Sequence, residues 1–221
     1  MTKEQLTIVN KTLEFVKAKF AEESTGHDWW HIERVLNVAK VIAKKEKADM
    51  YIVQLGALLH DISDFKFNGG DEFLGGKLSA EWLISLKAGE KVAGEVQHIV
   101  DNISFKGLGE KNKIKSLEGL IVQDADRLDA IGAIGIARCF AYGGSKNRPI
   151  YSPTNNKQKI KDKKFEEYKK GANSSFEHFS DKLLHLKKLM NTKTGKMIAE
   201  KRDKYLRDYV KEFLLEWNGK L

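Results

Sequence analysis

The chain has 221 residues, 41% hydrophobic and 32% charged, which suits one large domain and excludes a disordered polypeptide. A single cysteine, Cys139, excludes an internal disulfide and a cysteine-built zinc site, and fits a reducing compartment. The net charge of +8 is compatible with nucleic acid or with a phosphorylated small molecule as partner. Residues 1–22 carry no signal-peptide pattern and no stretch of about 20 apolar residues occurs, so a cytoplasmic protein without membrane attachment is expected.

Helix is favoured from the start, because only Pro149 and Pro153 punctuate the chain. Thr2 with Gln5 forms a capping-box pattern. Leu6, Val9, Leu13, Val16 and Phe20 then recur at steps of three and four. After a break at Ser24-Thr25-Gly26, Asp28 is placed to cap a second helix with Ile32, Val35, Leu36, Ala39, Ile42 and Ala43 on its apolar face. Asp49 is placed to cap a third helix reaching about Asp61, apolar nearly all round and therefore central. Gly69-Gly70 and Gly75-Gly76 flank short loops. Helices follow over about 77–87 and 90–103, then a loop over 107–113.

The periodicity next predicts one long helix from Leu117 to Ala141. Gly132 and Gly135 lie inside it at a cost in helix stability, which suggests close approach of another helix or a ligand. Gly143-Gly144 ends it. Residues 145–173 read as a long loop with a short helix, and helices over about 175–191 and 195–217 close the chain. Between 143 and 171 lie nine Lys/Arg and three acids, so most of the basic surplus sits in one segment. Residues 145–170 are expected to form a mobile cover near the site that attracts polyphosphate rather than nucleic acid.

Three polar groups stand where apolar residues should. His27-Asp28-Trp29-Trp30-His31 lies at a helix start. His60-Asp61-Ile62-Ser63-Asp64 follows the apolar helix. Gln123-Asp124-Ala125-Asp126-Arg127-Leu128-Asp129 interrupts an apolar helix. A lone buried His or Asp is most often a hydrogen-bonded core residue. Several together on apolar helices point instead to a metal, because coordination offsets the cost of burying carboxylates. Two imidazoles and two carboxylates suit a first-row transition ion better than calcium. Such a site can activate water and polarise a phosphoryl group. Trp29 and Trp30 are assigned to core packing rather than to a base-stacking platform.

His31, His60-Asp61 and Asp126, in this order, resemble the signature of the HD-domain phosphohydrolase superfamily. The closest likeness is to its small single-domain bacterial branch, through Asp28-Trp29-Trp30-His31-Ile32-Glu33-Arg34-Val35, Leu59-His60-Asp61-Ile62 and Asp124-Ala125-Asp126-Arg127-Leu128-Asp129-Ala130-Ile131-Gly132-Ala133-Ile134-Gly135. Phe140-Ala141-Tyr142-Gly143-Gly144 and His178-Phe179-Ser180-Asp181-Lys182-Leu183-Leu184 add to it, so the likeness covers about residues 20–210.

The resemblance implies an all-α fold, a compact HD-domain helical bundle with additional C-terminal helices. It implies a single domain over 1–221, with a core of about 20–142, a Lys-rich loop of about 143–173 and C-terminal helices of about 174–217. It implies one divalent metal on His31, His60, Asp61 and Asp126: manganese first, with magnesium, cobalt, nickel, iron or zinc as alternatives. Asp64 falls where relatives carry an acidic residue that helps position water or transfer a proton, the candidate catalytic residue, with a helix-end cap or turn residue as its equal alternative. His27, Lys66, Arg127 and Lys146 are candidate phosphate contacts, His27 leaning to a cap. His98 could support a second metal, but Asp101-Asn102-Ile103 departs from the pattern that needs.

The implied activity is hydrolysis of a nucleotide, specifically a nucleoside triphosphate to monophosphate and pyrophosphate. A nucleoside monophosphate phosphatase is the runner-up, in a monomer or homodimer. A nucleic-acid-binding or nucleotide-sensing protein with a structural metal is the non-enzymatic alternative. Against it, the basic segment offers only Tyr151, Phe165 and Tyr168 for stacking.

Overall fold

A computed structural model describes residues 1–21, 28–63, 73–105, 111–153 and 173–220. Among these the chain is all-α, with no strand. The helices are α1 (Lys3–Lys19), α2 (Trp29–Glu46), α3 (Met50–Leu59), α4 (Leu74–Ser85), α5 (Glu90–Asn102), α6 (Leu117–Asp129), α7 (Gly132–Ser145), α8 (Glu177–Asp181) and α9 (Lys193–Trp217). A 3₁₀ segment covers Leu183–Leu189. No helix among the described residues is long and apolar enough to cross a membrane. Contacts divide the chain into two compact units, Met1–Phe105 with Asn112–Asp126, and Lys106–Lys111 with Arg127–Leu221.

Local signals set the ends of the first helices. Thr2 Oγ1 accepts from the Gln5 N–H at 3.2 Å, and Gln5 Oε1 accepts from the Thr2 N–H at 2.8 Å. Asp28 caps α2 and Asp49 caps α3, each filling orphan donors of a first turn. In the first unit α3 is central. Residues Tyr51 to Leu59 are all buried, and α1, α2 and α5 pack against it. An all-round apolar surface gives this helix no face for water, so the end of α3 is delivered into the core. At its edge Trp82 of α4 stacks on Phe15 of α1, with centroids 3.9 Å apart, and donates from Nε1 to Thr12 at 3.0 Å.

Several boundaries differ from the sequence expectation. Gly75 and Gly76 lie within α4 rather than in a flanking loop, because the carboxylate of Asp101 rests on the Gly76 backbone where a Cβ would stand. The long helix expected over 117–141 is two. It breaks after Asp129, where Ile131 is extended (φ −127°, ψ 164°) and Gly132 takes φ +78°. A Cβ at Gly135 would collide with the Ala130 carbonyl. The two glycines therefore make a corner that periodicity does not register. The second helix then continues through Gly143-Gly144 to Ser145.

In the second unit α7 and the 3₁₀ segment pack on α9. The region read as one helix over 175–191 is instead the short α8 followed by the 3₁₀ segment. Phe176 stacks on Phe213 with centroids 4.4 Å apart, and Tyr151 meets the edge of Trp217 at 4.8 Å. Buried Asp129 accepts from Arg138 Nη1 at 2.8 Å. Arg202 of α9 donates to the Leu128 carbonyl at 2.5 Å and lies against Gly132. Burial lowers the pKa of Arg202, and the charge of Asp129 opposes that shift. Of the Lys-rich segment, residues 154–172 lie outside the described residues.

Gly132→Ala tests the corner. It places a side chain at positive φ and against Arg202, and should destabilise the protein by about 1–2 kcal/mol. Urea denaturation reads this as a lower midpoint at unchanged slope. An unchanged midpoint would show that the corner does not need glycine.

Candidate metal centre

Three elements of the first unit bring four side chains together. His31 is the third residue of α2. Its backbone N–H donates to Asp28 Oδ1 at 2.8 Å, so the cap that starts the helix also holds the histidine's own backbone. His60 and Asp61 stand in the turn after α3, and Asp126 lies on α6. His31 and His60 are buried, at 1% and 5% exposure, while the side chains of Asp61 and Asp126 keep 16% and 32%.

The end of α3 sets the chemistry of His60. A helix leaves its last carbonyls without intrahelical partners. His60 Nδ1 lies 2.8 Å from one of them, the Ala57 carbonyl. A carbonyl only accepts, so Nδ1 carries the proton, and in that tautomer the Nε2 lone pair points away from the helix. A second hydrogen bond of this kind is the usual way a ligating histidine is oriented.

That lone pair meets the other three groups. His31 Nε2 is 3.2 Å from His60 Nε2, 3.4 Å from Asp61 Oδ2 and 3.6 Å from Asp126 Oδ1. His60 Nε2 is 3.7 Å from Asp61 Oδ2 and 3.9 Å from Asp126 Oδ1. Bonds of about 2.0–2.2 Å to one ion put ligand atoms about 3 Å apart across a right angle and about 4 Å apart when opposed. All five separations fall within that interval. The ligand atoms of His31, His60 and Asp126 lie within 4.8 Å of one another, and Asp61 reaches both imidazoles. Two carboxylates facing an imidazole lone pair call for a cation, and a mixed nitrogen and oxygen set suits a first-row divalent ion.

Asp124 is fully buried and lies outside this cluster. Neighbouring residues on a helix are turned about 100° apart, so residues two apart face nearly opposite ways. His27, Asp64 and Lys66 lie outside the described residues. Arg127 and Lys146 belong to the second unit. Arg127 donates to the Leu189 carbonyl. Lys146 is exposed beyond α7, with Nζ 5.7 Å from the Tyr142 ring centroid. His98 accompanies Asn102, whose side chain donates to the His98 carbonyl at 2.8 Å. Sequence reasoning missed the Ala57 carbonyl, although a spacing of three residues before a helix-ending histidine could have signalled it.

Helices that deliver two histidines and two aspartates to one point define a helical protein with a candidate divalent-metal centre. The HD domain family matches residues 29–131. Against Bacillus subtilis (strain 168) YpgQ, an uncharacterised protein, the chain is 37% identical over 199 residues, covering 90% of this chain and 88% of the other. A crystal structure from Lactobacillus plantarum superposes with a TM-score of 0.83 at 31% identity, covering 100% of both chains. An HD-superfamily hydrolase from Bacillus thuringiensis does so with a TM-score of 0.75 at 38% identity, covering 98% of this chain and 100% of that one. YpgQ in complex with ADP gives a TM-score of 0.75 at 33% identity and 95% coverage of each. The chain belongs to the HD superfamily, and that membership implies a divalent metal.

The Asp28 cap can be tested apart from the ligands. Asp28→Ala should cost about 1 kcal/mol of stability and, because it frees the backbone at His31, should also weaken metal binding in a titration. A stability loss with unaltered metal affinity would confine the cap to the fold.

Proposed function

We propose that this protein is a metal-dependent phosphohydrolase acting on a nucleotide, with His31, His60, Asp61 and Asp126 holding one divalent ion. The observation that carries this reading is the approach of the two imidazole Nε2 atoms to each other and to both carboxylates within 3.2–3.9 Å. Similarity to YpgQ, crystallised with ADP, supports a nucleotide as the ligand. The mixed donor set favours a first-row ion, manganese being our choice.

When bound, such an ion supplies Lewis acidity toward a phosphoryl oxygen. The chain's own part is to orient. The Ala57 carbonyl fixes the His60 tautomer, and Asp28 fixes the backbone at His31. The partial exposure of Asp61 and Asp126 leaves the substrate a side from which to enter. Asp64, three residues beyond Asp61, is our candidate for proton transfer, and His27, Lys66, Arg127 and Lys146 are candidate phosphate contacts. The specific reaction we favour is cleavage of a nucleoside triphosphate to monophosphate and pyrophosphate, in a single HD-type domain spanning the chain.

Incubating manganese-loaded protein with a panel of nucleotides and resolving the products by chromatography tests the reading. Monophosphate with pyrophosphate is the expected pair. Nucleoside with inorganic phosphate would move the assignment to a monophosphatase, and no turnover with any metal would overturn the hydrolase.

The ligand set has its own test. Elemental analysis should find about one transition ion per chain in the wild type, as expected for a mononuclear site, and far less in His60→Ala and Asp61→Ala. Equal metal in all three would remove these residues from the site.

Asp64→Asn separates chemistry from binding. It should keep the metal and lower the maximal rate by a factor on the order of 10². A near-normal rate would return Asp64 to a turn or cap, and loss of metal with rate would make it structural.

A further inference from the structure

Trp29 and Trp30 open the same helix and meet opposite fates. Trp29 is 7% exposed and Trp30 61%. The turn of about 100° per residue sends one indole into the core and the next to solvent. The sequence places both in the core, and the structure buries only Trp29.

The chain has four tryptophans, and the other three are engaged. Lys17 Nζ stands 6.0 Å from the centroid of Trp29. Trp82 is stacked on Phe15, and Trp217 packs against Tyr151 and Phe213. Among the described residues the Trp30 side chain has no ring contact, no cation partner and no hydrogen bond. A large apolar ring left in water loses the transfer energy its burial would gain, so an unengaged indole suggests a ligand. Its place says which one. Trp30 directly precedes His31, with α-carbons about 3.8 Å apart, in the first turn of α2. The Asp28 cap holds this turn, so the helix start that carries the exposed indole also carries His31.

We propose that Trp30 is the stacking platform for the base of a nucleotide whose phosphates engage the cluster of His31, His60, Asp61 and Asp126, an inference that rests on the nucleotide reading above. A flat ring with a free face takes any base, because every base has a π-face. Trp30 therefore favours nucleotides over phosphate compounds that lack a base, and purines over the smaller pyrimidines, without reading hydrogen-bonding edges.

Calorimetric titration of the manganese-loaded full chain with ADP and with pyrophosphate tests this. Trp30→Ala should weaken ADP by about five- to 150-fold, the range that one stacked base supplies, and leave pyrophosphate affinity as in the wild type. Trp30→Phe should retain most of the ADP affinity. Unchanged ADP affinity in Trp30→Ala overturns the proposal, even if that variant alters self-association and so marks a protein interface. Equal weakening of ADP and pyrophosphate overturns it too, since the variant would then be disturbing the cluster. A wild type that binds no ADP overturns it with the nucleotide reading. If the wild type binds ADP and Trp30→Ala loses it, but no nucleotide is turned over, the platform stands and the hydrolase reading falls.

Discussion

The first unit is organised around the hydrogen bond between His60 Nδ1 and the Ala57 carbonyl at 2.8 Å. It satisfies a carbonyl that the end of α3 would otherwise leave buried and unpaired, a loss worth about 1–3 kcal/mol. In doing so it fixes which nitrogen of His60 bears the proton. Helix termination and ligand preparation are thus the same event. At the end of α3 the His60 side chain takes the Ala57 carbonyl and the Ile62 N–H takes that of Leu59, and the same imidazole turns a lone pair toward His31, Asp61 and Asp126.

The surrounding helices serve the same convergence. α3 is apolar on all sides and so held by α1, α2 and α5, which leaves the turn at His60-Asp61 little freedom. α2 is started by Asp28, whose carboxylate grips the N–H of His31 itself. α6 carries Asp126 near its C-terminal end, and that side chain keeps 32% exposure while Asp124 is fully buried. The cluster thereby has a dry side of imidazoles and a wetter side of carboxylates. A charged phosphate can approach the wetter side without crossing the core, and the dry side keeps the donors fixed while it does.

The corner between α6 and α7 shows a different division of labour. Ile131 in extended geometry and Gly132 at positive φ turn the chain sharply after Asp129. In the second unit, Arg138 of α7 on Asp129 and Arg202 of α9 on the Leu128 carbonyl secure that turn. Removing one partner of a buried ion pair typically costs about 3–5 kcal/mol. The two arginines thus serve the shape of the corner.

Much of this was written locally in the sequence. The caps at Thr2, Asp28 and Asp49, the all-round apolar α3, the all-α class and the unusual polar groups at His31, His60-Asp61 and Asp124 to Asp126 follow from short-range rules of periodicity and capping. Those rules act over one or two helical turns, so they do not see contacts between elements. Only the tertiary structure decided that α6 and α7 are separate, since the Ala130 carbonyl and Arg202 side chain that surround the glycines enter no helical period. It alone sent Trp29 inward and Trp30 outward, because identical residues differ only in their angle about the helix axis. The family resemblance had pointed to Asp126 rather than Asp124, and the approach of Asp126 to the two imidazoles agrees with it, although no short-range rule separates the two. Residues from α2, the turn after α3 and α6 converge only after packing has set the rotation of each helix, and no stretch of chain carries that rotation by itself.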